Sequence, residues 1–70
     1  MTPAQFKAGR NALGLSQHAM ARALNMGTHG WQSILRWEKD GTTVPGPAQV
    51  AMRFMLRDAG VTLDFNNKGK

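Results

Sequence analysis

Cysteine is absent from the 70-residue chain, which excludes disulfides, thiolate zinc sites and cysteine nucleophiles and fits a cytosolic protein. Acidic residues are scarce: Glu38, Asp40, Asp58 and Asp64 are the only four, and they form no paired-carboxylate motif for general acid–base chemistry. There is no glycine-rich phosphate loop, and no serine or threonine sits in a nucleophile motif with a histidine base, so catalysis is not expected. His18 and His29 are the only histidines, and without cysteine they do not suggest a metal site. No apolar run approaches the roughly 20 residues that span a bilayer, and the N-terminus lacks the basic-then-apolar pattern of a signal peptide. The expectation is a soluble, cytoplasmic protein with no membrane partner, no cofactor and no small-molecule ligand. No repeats, linkers or second domain are expected either.

What the chain does have is positive charge. Nine Lys and Arg against four Asp and Glu give a net charge of +5, a field that draws polyanions, with nucleic acid first and acidic membrane surfaces second. A basic surface that merely keeps the protein soluble is the plainer alternative. A domain of this size buries only about 60% of its unfolded surface, so support from a partner subunit is expected.

Thr2 and Pro3 form a helix start, a hydroxyl N-cap followed by a proline whose missing N–H costs nothing at the first helical position. Phe6, Gly9 or Arg10, and Leu13 recur at helical spacing, and Gly14 stands where a left-handed C-terminal residue is wanted. A first helix is predicted over about 3–13, with Lys7 on its solvated side, where a phosphate contact is the alternative. Ser16 caps a second helix ending near Asn25, a residue that tolerates the left-handed conformation. Leu15, Met20, Leu24 and Met26 are core by pattern, and Ala21 leaves room for another helix to approach.

Gly27, Thr28, His29 and Gly30 are turn-rich and aperiodic. Ile34 and Trp37 restore the helical pattern. A third helix is predicted from about Gly30, or from Thr28 as its cap, to Lys39. Pro45 and Pro47 interrupt the chain, and Pro47 opens a fourth helix over about 48–59, stopped by Gly60. That helix carries Val50, Ala51, Met52, Phe54, Met55 and Leu56, more apolar surface than one core-facing stripe requires. Val61, Leu63 and Phe65 alternate with polar residues, the pattern of a half-buried strand. Such a strand pairs with its counterpart across a two-fold axis or packs as an arm, and a frayed tail follows.

Three stretches in this order, ALGLSQ at 12–17, MARAL at 20–24 and ILRWEKDG at 34–41, resemble the Cro and phage-repressor type of helix-turn-helix protein. The resemblance covers about residues 5–57. It implies a mainly α fold, a compact four- to five-helix bundle with a helix-turn-helix over residues 1–60, beside a short C-terminal β-strand or arm at 61–70. It also implies roles. Gln17 looks like the glutamine that touches a DNA phosphate, Ala21 like the small residue at the tight contact between the second and third helices, and Arg10 and Glu38 like a structural pair linking the first helix to the end of the third. One departure is a turn about three residues longer between Leu24 and Ile34, so that either the turn is lengthened or the third helix begins a turn early.

Counting back from Ile34 and Trp37 places Gln32, Ser33 and Arg36 towards DNA. Arginine offers a bidentate fork to guanine and glutamine pairs similarly with adenine, while Ser33 serves base or phosphate. Trp31 is either a partial core residue or a packing contact on sugar or a thymine methyl, and His29 lies where a phosphate contact is available. Lys39 and Thr43, with Thr42, are placed for phosphates, and Arg22, Arg53 and Arg57 for long-range attraction. Phe54, Met55, Val61, Leu63 and Phe65 are the candidate dimer contacts.

The expected function is a sequence-specific DNA-binding repressor, a homodimer on a palindromic operator in double-stranded DNA. The resemblance adds autoregulation and a phage-encoded or bacterial setting. A different class of function is an antitoxin-like module that sequesters a partner protein through the fourth helix and the apolar strand.

Overall fold

A computed structural model describes residues 1–62. The strand or arm expected over 61–65, and with it the dimer contacts Leu63 and Phe65, extends outside the described residues. Four α-helices are present among the described residues: α1 (Pro3–Ala12), α2 (Gln17–Ala23), α3 (Gly30–Trp37) and α4 (Gly46–Asp58). The fold is mainly helical, with no fifth helix and no strand among these residues.

The starts of α1 and α2 follow from side-chain caps. Thr2 Oγ1 accepts from the Gln5 N–H at 3.1 Å while the Thr2 N–H donates to Gln5 Oε1 at 2.8 Å, a reciprocal capping box. Ser16 Oγ accepts from the Ala19 N–H at 3.0 Å to open α2. The helix ends share one device. After α1, α2 and α4 the chain turns left-handed at Gly14 (φ 72°), Asn25 (φ 57°) and Gly60 (φ 72°). At each end the next N–H reaches back five residues, Leu15 to the Arg10 carbonyl, Met26 to Ala21 and Val61 to Leu56. These are Schellman motifs, in which the last unpaired carbonyls of the helix are satisfied and an apolar residue is turned inward. Leu15, Met26 and Val61 all pack against the core.

That core is made by Phe6, Met20, Ala21, Ile34, Val44, Ala48, Met52 and Leu56. α2 packs on α3 and α1 on α4. Gly30 lets α3 approach α2, since a Cβ there would lie 2.4 Å from Met26 Cβ and 3.3 Å from Ala21 Cβ. Phe6 of α1 meets Trp37 of α3 edge-to-face, ring centroids 5.8 Å apart, so the two helix pairs are joined through aromatic contact. Gln49 Nε2 donates to the Val44 carbonyl at 2.9 Å, and Gln49 Oε1 accepts from the Met1 nitrogen at 3.1 Å.

Three boundaries differ from expectation by two residues, the first being the end of α2, at Ala23 rather than near Asn25. α3 stops at Trp37 rather than Lys39, because the chain turns through Gly41 (φ 85°), with the Thr42 N–H on the Lys39 carbonyl at 3.2 Å. α4 starts at Gly46 rather than Ala48, capped by Pro45, because Pro47 falls in the first turn where an N–H has no intrahelical acceptor. Val44, in the proline-interrupted stretch between α3 and α4, is a buried core residue. The extra residues before α3 lengthen the turn: Thr28 and His29 lie in it, and α3 begins at Gly30.

Candidate nucleic-acid interface

Ionic and hydrogen-bonded contacts fix the geometry at the far end of α3. Arg10 Nε donates to Glu38 Oε2 at 2.6 Å and Arg10 Nη2 to Glu38 Oε1 at 3.1 Å, a bidentate pair. The two side chains are only 11% and 4% exposed. Arg10 Nη1 also donates to the Leu15 carbonyl at 2.8 Å, so one guanidinium ties α1 to the entry of α2 and to the end of α3.

Glu38 does a second thing. Its Oε1 accepts from Gln17 Nε2 at 3.2 Å, which orients the first side chain of α2 from behind. Only one of the two N–H groups on that amide is needed for Glu38. The other remains for an outside acceptor.

Around this anchor lies an open cleft of about 420 Å³, lined by Lys7, Gln17, Gln32, Leu35, Arg36, Glu38 and Lys39. Its three cations, Lys7, Arg36 and Lys39, stand against one acid, and that acid is already paired with Arg10. The floor is therefore electropositive, with two glutamine amides as additional donors and acceptors. The outer face of α3 follows from its period: Gly30 and Ile34 are buried, whereas Gln32, Leu35 and Arg36 are exposed.

Of the residues singled out in the sequence, Gln17, Gln32, Arg36 and Lys39 are brought to this one cleft. Comparison with family models, with curated proteins and with solved structures returned no match. The assignment of the cleft thus stands on its own geometry and charge.

The remaining sequence-predicted residues are placed elsewhere. Ser33 is half-buried on the flank of α3, turned towards the protein by the same 100° step that exposes Gln32. Trp31 is half-buried on the opposite flank, where its indole stacks on the His18 imidazole with centroids 4.8 Å apart and planes 24° from parallel. It lines a separate groove with His18, Arg22, Asn25 and Thr28. His29 and Thr43 are exposed in the turns before and after α3 and line neither space.

Two further residues line the cleft. Lys7, read as a solvated residue, is one turn before Arg10 on α1, so the Arg10–Glu38 pair draws it to the rim. The signal was available in that spacing. Leu35, an apolar residue to which the sequence pattern assigns no role, is 49% exposed.

On α4, Met55 is half-buried against the protein's own core, as is Val61 after the helix. Phe54 is 57% exposed with Val50 beside it at 53%, and the Arg57 guanidinium lies 5.9 Å from the Phe54 ring centroid. Among the candidate dimer contacts within the described residues, Phe54 is the one that is exposed rather than half-buried.

Proposed function

We propose that this protein is a sequence-specific DNA-binding regulator that inserts the outer face of α3 into the major groove and acts as a homodimeric repressor. The observation that carries the reading is the cleft beside α3. Three cations surround it, its one carboxylate is neutralised from within, and Gln32 and Arg36 lie on the exposed face of α3, with side chains of the types that pair with base edges. α2 and α3, joined by their turn, serve as the helix-turn-helix. Arg36 and Gln32 read bases, Lys39, Lys7 and Gln17 meet phosphates, and Thr43 is a further phosphate contact from the loop.

No helix among the described residues is long and apolar enough to cross a membrane. The exposed Val50 and Phe54 on α4 favour self-association, since an apolar pair left open on a small domain gains most by being covered. Two copies would place two recognition helices about one helical turn of DNA, roughly 34 Å, apart. Repression follows by occlusion of the promoter.

Two substitutions separate base reading from phosphate contact. Arg36→Ala is expected to cost about 1–3 kcal/mol on the preferred site and to relax the preference at one base pair per half-site. Lys39→Ala is expected to weaken all duplexes about equally and to lower the slope of log affinity against log salt by about one. Binding titrations over a salt series measure both, and operator affinity independent of salt would overturn DNA binding altogether. The alternative of a partner-sequestering module rests on the same Val50–Phe54 patch. It requires Phe54→Ala to abolish function while Arg36→Ala leaves it intact.

A further inference from the structure

Leu35 is out of character with its surroundings. It is 49% exposed in the lining of a cleft whose other lining residues are Lys7, Gln17, Gln32, Arg36, Glu38 and Lys39. A half-exposed leucine contributes little to folding, and an isolated one on a surface needs no explanation. Here, however, it occupies the one face of α3 that carries the base-reading and phosphate-binding groups, one residue from Arg36 and one turn from both Gln32 and Lys39. Only an apolar feature within an otherwise polar, anionic ligand would cover it favourably. The major groove of DNA presents one such feature, the 5-methyl group on a pyrimidine.

We infer that Leu35 is a specificity-determining residue that packs against a pyrimidine 5-methyl group in the major groove, next to the base pair read by Arg36. The inference rests on the DNA-binding reading proposed above and adds to it a particular base. Trp31, the other apolar residue near this face, does not fill the role. Its ring is committed to the stack on His18 and lines the separate groove beyond α2. Leu35 has no such internal partner among its cleft neighbours. The polar contacts of Arg36 and Gln32 read guanine and adenine edges and leave the pyrimidine methyl unread. A buried methyl against Leu35 instead distinguishes thymine from cytosine at one position, and Leu35 clashes with no group when the methyl is lost. Absence of the methyl is therefore felt as a modest, local loss of affinity rather than as exclusion.

Thymine and 5-methylcytosine carry the same methyl, and one experiment separates them. The full chain is first used to select its preferred duplex from a random pool. Each thymine of that duplex is then replaced in turn by uracil, and each cytosine by 5-methylcytosine, and affinities are measured for the wild type, Leu35→Ala and Leu35→Met. Burying one carbon is worth about fourfold in affinity. The expected result is a uracil penalty of about fourfold at one position per half-site, retained by Leu35→Met and abolished in Leu35→Ala. A gain of similar size on methylation of one cytosine, again lost in Leu35→Ala, supports the same contact with 5-methylcytosine as its source.

A duplex that tolerates uracil and ignores cytosine methylation at every position overturns the inference while leaving DNA binding intact. So does a penalty that persists undiminished in Leu35→Ala, since the methyl would then be read by another residue. If no duplex is enriched at all, the DNA-binding reading fails and takes the inference with it. Thermal melting of Leu35→Ala close to that of the wild type is expected from its exposure, and Leu35→Met provides a second variant should the alanine unfold.

Discussion

Glu38 and Arg10 concentrate the consequences of single residues. A carboxylate only 4% exposed and a guanidinium only 11% exposed hold each other in place, and a pair removed from water is costly to break from one side because the survivor is left uncompensated. Glu38→Ala is expected to lower the unfolding free energy by about 3 kcal/mol or more, read in a urea titration, with Arg10→Met in the same chain recovering much of the loss. A loss below about 1 kcal/mol would place the pair among surface ion pairs instead. Glycines make a second contrast. A Cβ on Gly30 would meet Met26 Cβ at 2.4 Å, an atom tied to the backbone of the turn, whereas one on Gly9 would meet the Met52 thioether at 2.7 Å, in a flexible side chain. Gly30→Ala is therefore expected to cost about 1–3 kcal/mol through overpacking at the α2–α3 contact. Gly9→Ala should cost clearly less, because Met52 is able to shift and alanine favours the helix by about 1 kcal/mol. Equal melting temperatures for the two variants would contradict the asymmetry.

Among the elements, helix termination carries most of the architecture, and it was the part most visible in the sequence. Gly14, Asn25 and Gly60 stand at the three left-handed positions, and each was marked by residue type alone, since glycine and asparagine tolerate positive φ. Asn25 is the costliest of the three. Replacement by alanine is expected to destabilise by about 1 kcal/mol and by glycine not at all, a difference that chemical denaturation resolves; equal effects would mean that the turn after α2 relaxes to another conformation. Ile34 and Met20 announced their burial through helical spacing, and Thr2 and Ser16 announced the helix starts through local chemistry. What spacing did not carry was burial decided by tertiary contact. Val44 lies between threonines and prolines with no periodicity to mark it, yet it is 1% exposed. Ser33 shares a stretch of chain with Gln32 but not its face, because the orientation of α3 depends on where Gly30 meets α2. Leu35 was the reverse case, an apolar residue whose position on the wheel outweighs its composition.

For the molecule as a whole, the distribution of charge and of uncovered apolar surface points to two separate faces. Lys7, Arg36 and Lys39 gather at the cleft beside α3, while Val50 and Phe54 lie open on α4 with Arg53 and Arg57 lining the same hollow. Self-association through the second face predicts that Phe54→Asp converts a dimer to a monomer in sedimentation equilibrium and weakens operator binding by loss of the second half-site. A dimer that survives this change but is lost on removal of residues 61–70 would move the interface to the C-terminal segment. Recognition of DNA by the first face is the central claim, and its most direct measurement is selection of binding sites from a random duplex pool with the full chain. The expected result is enrichment of one short sequence in two inverted copies whose centres are about 34 Å apart. A pool that remains random while the chain binds every duplex alike would reduce the cleft to a basic surface without sequence recognition.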